Sequence, residues 1–223
     1  MFIKKIFFDT ETSGLNCRHC QIIELAMITV VDGEIVDQFD EFIKCEKPLP
    51  SKITKITGID DETLEREGLP EKDVAKHLKG MFDEDALMIA HNAQFDLSFV
   101  YYLLKRHFPD EADDLVKKMD WLDTLTVLKD RKEYPHKLID AVKYYEVDEV
   151  NFHRAIDDTK ALYNVYYKLK EERDDLLEYK NVFGFNPKWG INGKRFPFIK
   201  YYPQYYHRGG MVPADRILPN HDG

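Results

Sequence analysis

The sequence predicts an α/β protein, a mixed sheet flanked by helices. Two patterns carry that prediction. The first 45 or so residues form runs rich in β-branched and aromatic residues, joined by a tight turn. From about residue 70 the apolar spacing becomes helical and is broken by one short apolar strand. The chain has 223 residues, 43% hydrophobic and 33% charged, enough to bury a core without disulfide or metal staples.

The elements follow in order. Ile3 to Phe8 is a short apolar run leading through Asp9-Thr10-Glu11 into a loop with Ser13 and Gly14. Gln21 to Val31, rich in Ile, Val and Thr, has strand composition. Asp32-Gly33 signals a two-residue hairpin, and Glu34 to Ile43 returns as the next strand before Pro48 and Pro50. Glu71 to Phe82 is helical, with Val74, Leu78 and Phe82 on one face. Leu87 to Ala90 is a short buried strand. Gln94 to Arg106 is a helix with Phe95, Phe99 and Leu103 spaced by four. Thr124 to Lys129 and Leu138 to Tyr145 are shorter helices, and a long one runs from Asp157 to about Tyr179.

A formal charge of −9 argues against a surface that coats nucleic acid throughout, but allows a local grip on a phosphodiester through metal ions. Three cysteines make no disulfide framework and suggest a reducing compartment. No stretch approaches a membrane span. Asp9 and Glu11 interrupt the N-terminal apolar run too early for a signal-peptide core. A cytoplasmic location without membrane contact is therefore expected.

Three acidic sites stand out. Asp9 and Glu11, two apart at a strand end, project to one face. Asp96, in His91-Asn92-Ala93-Gln94-Phe95-Asp96, falls in the first turn of a helix. Asp158, in His153-Arg154-Ala155-Ile156-Asp157-Asp158, lies just inside the long helix, with His153 on the loop before it. Each alone reads as a solvated acid or as helix-dipole compensation. Converging, the four carboxylates would repel one another and raise their own pKa values. Hard divalent cations relieve that cost, and a pair of them suits in-line phosphoryl displacement. A histidine supplies a base near neutral pH.

The ordered set of Phe8-Asp9-Thr10-Glu11-Thr12-Ser13-Gly14-Leu15, His91-Asn92-x-x-Phe95-Asp96-x-x-Phe99 and His153-Arg154-Ala155-x-x-Asp158 resembles the three motifs of the DEDDh-class 3′→5′ exonucleases. These include the proofreading domains of bacterial replicative polymerases. Ile56-Thr57-Gly58-Ile59 and Asp123-Thr124-Leu125 are also similar to that family, and the resemblance covers roughly residues 3 to 170. It implies a ribonuclease H-like fold with two Mg²⁺ or Mn²⁺ ions held by Asp9, Glu11, Asp96 and Asp158. Asp9 would bridge the ions and His153 would act as general base. Leu15 would wedge against the terminal base, with Thr10, His91 and Asn92 as further substrate-binding candidates. For His91 and Asn92, local turn hydrogen bonds are an equal alternative.

The implied activity is removal of 5′-mononucleotides from a single-stranded or frayed 3′ end. DNA is preferred over RNA because the motifs look closest to the proofreading type. An exoribonuclease is the rival within the class, and a non-catalytic nucleic-acid-binding module on the same fold is the rival outside it. A proofreading role would require a DNA polymerase in trans.

Residues 1–180 are read as the exonuclease domain and 181–223 as an extension without regular structure. The extension mixes nine aromatics between Phe183 and Tyr206 with Lys188, Lys194, Arg195, Lys200, Arg208 and Arg216. Its net charge is +4, against −13 for residues 1–180. Packing on the catalytic domain is preferred over a base-stacking surface. Cys17 and Cys20, in Cys17-Arg18-His19-Cys20, are expected as free thiols rather than a zinc site. Glu24, interrupting an apolar strand, is given no catalytic role.

Overall fold

The computed structural model describes residues 4–82, 86–147 and 154–205. Its centre is a five-stranded sheet in the order β3-β2-β1-β4-β5, built from β1 (Lys4–Thr12), β2 (Ile22–Val31), β3 (Glu34–Phe42), β4 (Ala86–Ala90) and β5 (Asp120–Asp123). β1, β2 and β3 form an antiparallel meander, whereas β4 and β5 pair in parallel with β1 and with each other. The expected mixed sheet flanked by helices is the one observed. Asp32 and Gly33 close the β2–β3 hairpin with φ of 51° and 92°. This pair of positive φ values suits the twist of the flanking strands.

Among the described residues eight helices surround the sheet: α1 (Ser51–Thr57), α2 (Asp61–Glu67), α3 (Glu71–Met81), α4 (Ala93–His107), α5 (Ala112–Leu115), α6 (Thr124–Arg131), α7 (Leu138–Tyr144) and α8 (Ala155–Glu172). The alternation of β1 splits the core between the two faces. Ile6 and Phe8 point towards α3 and α4, where they join Leu78, Leu97, Val100 and Trp121. Phe7 points the other way, into the cluster formed by Leu162, Val165, Tyr166 and Leu169 of α8. The odd-numbered face of β1 is therefore the face that α8 covers.

Four expectations need correction. Helices α1 and α2 interrupt the stretch from Pro50 to Gly68; both are short, and their capping residues carry more signal than any apolar period. Strand β5 was not expected, because four residues flanked by acids have no visible alternation. Helix α8 ends at Glu172 rather than near Tyr179. Arg173 is extended there, Arg131 takes the carbonyls of Leu169 and Arg173, and a separate 3₁₀ turn covers Leu176–Tyr179.

The extension also has regular structure. β6 (Val182–Phe185) and β7 (Lys200–Pro203) pair in parallel. Asn181 exchanges two hydrogen bonds with the backbone of Trp121 in β5, each 2.8 Å. Phe183, Phe196 and Ile199 bury themselves beside α4. Among the described residues, no helix is long and apolar enough to cross a membrane.

Candidate active site

Asp9 and Glu11 lie near the C-terminal end of β1, on the face covered by α8. Helix α8 brings Asp158 to them: Arg154 caps its start, and Asp158 lies in its first turn. Oxygens of Asp9, Glu11 and Asp158 all lie within 4.8 Å of one another, and all three residues are half-buried. Asp96 approaches from the other side of β1, in the first turn of α4. It is buried, and its Oδ1 accepts a 2.7 Å hydrogen bond from the hydroxyl of Thr10. Thr10, between the two acids of β1, thus ties the strand to the helix that carries the fourth acid.

The electrostatics are those of uncompensated charge. Burial, and then the carboxylates of Asp96, Asp158 and Glu11, hold the Asp9 carboxyl well above its usual range. Burial and Asp158 push Glu11 up to about 8. Burial raises Asp96 to about 7 even though the Thr10 hydroxyl favours its ionised form. The set is all oxygen, half-buried and short of positive charge, which fits hard divalent cations. Without metal, the folded protein retains protons on Glu11 and Asp96 that the unfolded chain, with ordinary values of 4.5 and 3.8, gives up. Their contribution to stability is full below those ordinary values and is lost as pH rises through about 7 to 8. Melting in chelator between pH 5 and 9 is expected to show this fall, and Glu11→Gln should flatten it.

Two buried acids outside the cluster set its geometry. Glu24 faces Glu11 across the β1–β2 ladder. It accepts the Arg154 Nε at 2.9 Å, the Arg154 Nη2 at 2.8 Å and the Ala155 backbone N–H at 3.0 Å. It therefore caps α8 and fixes the turn that bears Asp158. Asp123 does the same for α4. Its Oδ1 accepts the backbone N–H groups of Asn92, at 2.8 Å, and Ala93, at 3.2 Å. Asn92 itself is left-handed, with φ of 75°, and makes no side-chain cap. The sequence offered a signal for Glu24, an acid inside an apolar strand, but not for its partner 130 residues away. Glu24→Gln keeps the shape and weakens the clamp. It is expected to cost about 1–3 kcal/mol of stability and to lower turnover more than substrate affinity. Denaturant melts and steady-state kinetics on one preparation check both effects.

The other candidates fall as follows. Leu15, in the loop after β1, is 79% exposed. The ring of His91 is engaged at both nitrogens, with the Thr124 hydroxyl at 3.0 Å and the His136 carbonyl at 2.9 Å. His91 and Asn92 line a cavity of about 480 Å³ together with Lys129, His136 and Lys137. His153 lies outside the described residues. Cys17, Cys20 and Cys45 are free. Asp9, Glu11 and Asp158 are, among the described residues, the one group of three or more metal-ligating side chains whose ligand atoms lie within 4.8 Å of one another.

Residues 6–166 match the family model described as Exonuclease. The PolC-type DNA polymerase III of Caldanaerobacter subterraneus is 33% identical over 175 residues, covering 77% of this chain. That of Latilactobacillus sakei is 34% identical over 187 residues, covering 83%. The chain spans about 12% of the length of each of these relatives. Among solved structures, Escherichia coli Exonuclease I in complex with a dA16 oligonucleotide superimposes with a TM-score of 0.70 at 18% identity, covering 79% of this chain and 42% of that one. Exonuclease I from Methylocaldum szegediense gives a TM-score of 0.68, also at 18% identity. These likenesses show the fold to be the ribonuclease H-like one.

Proposed function

The chain belongs to the exonuclease family, and from that premise we propose that it is a metal-dependent 3′→5′ exonuclease. Its substrate is a single-stranded or frayed DNA end, and its products are 5′-mononucleotides. The observation that carries this reading is the convergence of Asp9, Glu11 and Asp158 within 4.8 Å, with Asp96 joined to the same strand through Thr10. DNA is favoured because the relatives are DNA polymerases and the structural neighbour was solved with a DNA oligonucleotide. A DNA polymerase acting in trans would supply mispaired 3′ ends. We assign residues 1–180 to the exonuclease domain and 181–223 to an extension of it. The three free cysteines suit a reducing cytoplasm.

In this reading Asp9, Glu11, Asp96 and Asp158 hold two Mg²⁺ or Mn²⁺ ions. Such ions, when bound, supply the positive charge that stabilises the attacking and leaving oxygens of an in-line displacement. The chain's own residues do the rest. Thr10 orients Asp96, while Glu24 and Asp123 fix the two helix ends. Leu15 presses on the terminal base, and Asn92 and His91 border the phosphate path. His153 takes the proton of the attacking water. The water oxygen bonds to phosphorus, the bond from phosphorus to the 3′ oxygen of the shortened strand breaks, that oxygen takes a proton from solvent to become the new 3′ hydroxyl, and the terminal nucleotide leaves with its 5′ phosphate.

Because Glu11 and Asp96 hold protons in the metal-free protein, cation binding must release them. Calorimetric Mn²⁺ titrations in two buffers of different ionisation enthalpy test this. Saturable binding with proton release at pH 7, weaker at pH 6 and weaker again in Glu11→Gln, is expected. Absence of binding at pH 8 would overturn the reading.

A further inference from the structure

The extension contributes a surface that its packing role does not use. Its aromatics divide sharply. Phe183 and Phe196 are buried, whereas Trp189 is 76% exposed, with Leu15 the most exposed large apolar side chains of the described residues. Trp189 sits in a turn closed by its own N–H and that of Gly190, both donating to the Asn186 carbonyl. The Lys188 ammonium lies 4.6 Å from the centre of its ring.

The loop that follows that turn is held against α4. The Gln94 amide donates to the carbonyls of Asn192, at 2.8 Å, and Lys194, at 2.7 Å. The Tyr201 hydroxyl donates to the Gln94 side-chain oxygen Oε1 at 2.8 Å, and the Lys194 N–H donates to the Ser98 hydroxyl at 3.1 Å. Gly193 has φ of +87°, and a Cβ there would stand 2.3 Å from the Ser98 oxygen, so only glycine lets the loop approach α4 this closely. Gln94 and Ser98, four residues apart, share the face of α4 opposite Asp96. Asn192 and Gly193 also meet Leu15 and Phe95 across a slot too narrow for water. Trp189 is three residues from Asn192, within about 11 Å of it even in a fully extended chain.

We propose that Trp189, with Lys188, forms a stacking platform for single-stranded DNA, engaging a base upstream of the terminal nucleotide. An exposed indole offers a π-face that any base can cover, and the adjacent ammonium matches the backbone phosphate. On a chain of net charge −9, this local basic and aromatic pair gives the strand an approach that the acidic remainder does not. The inference rests on the exonuclease reading for its substrate, and a binding assay that needs no turnover separates the two.

Trp121 is buried and Trp189 exposed, and these are the chain's two tryptophans, so Trp189 reports its own contacts. Titration with oligothymidylate of about eight nucleotides in chelator is expected to quench the exposed emission saturably. Trp189→Ala should weaken binding of the same, fluorescein-labelled oligomer about 5- to 150-fold, the equivalent of about 1–3 kcal/mol for one lost base stack. Trp189→Phe should restore part of it. Equal affinity of wild type and Trp189→Ala, with both folded by circular dichroism, would overturn the platform. Failure of the wild type to hydrolyse DNA in Mg²⁺, with the quench intact, would instead count against the exonuclease reading alone.

Discussion

Asp9→Asn is expected to abolish hydrolysis while the fold persists. Asp9 is the residue on which the other carboxylates act together, since Asp96, Asp158, Glu11 and Glu24 all raise it. Asparagine keeps the shape and the pairing with Ala26 across β1 and β2, but removes the negative charge with which Asp9 would hold a divalent cation. Loss of metal-based charge stabilisation is worth several kcal/mol, so the rate should fall on the order of 10³-fold or more. The metal-free variant should melt higher than wild type at pH 8, because one member of a self-repelling cluster is gone. Rates in Mg²⁺ and melting curves in chelator check both halves. A variant that is inactive because it is unfolded would fail the second.

His153→Ala is expected to lower kcat about 10²–10⁴-fold, the usual range for a lost general base, with a smaller effect on KM. The wild-type rate should rise with pH through the histidine's titration, because only the neutral imidazole accepts a proton. The variant should lose that limb. His153 precedes Arg154, which Glu24 anchors, so Glu24→Gln should shift the rate while keeping the pH limb. If His153→Ala instead abolishes Mn²⁺ binding, the histidine is a ligand and not the base.

What could be read from the sequence followed the length scale of each interaction. The β1–β2–β3 meander was legible because composition and Asp32-Gly33 are local signals. The meeting of Asp9, Glu11 and Asp158 was legible through the spacing and order of their motifs, which resemble those of a known family. The devices that place them were not. Glu24 reaches Arg154 and Ala155 from another strand, and Asp123 holds the start of α4 across a loop. Such caps depend on which chain ends the fold brings together, and no window of sequence contains both partners. The short elements failed for a different reason. Helices of seven residues, such as α1 and α2, and a four-residue strand such as β5 complete too few periods to be recognised. In the extension, composition alone could not separate Phe183, buried in the core, from Trp189, left in solvent.

The most direct test of the central claim is digestion of a single-stranded DNA oligomer labelled at its 5′ end, with products resolved by length over time. In Mg²⁺ or Mn²⁺ the labelled strand should shorten one nucleotide at a time while 5′-mononucleotides accumulate, and both chelator and Asp9→Asn should stop it. Immediate release of the 5′ label as a mononucleotide, internal cuts without a ladder, or undiminished digestion in chelator would contradict a metal-dependent 3′→5′ exonuclease centred on Asp9, Glu11, Asp96 and Asp158.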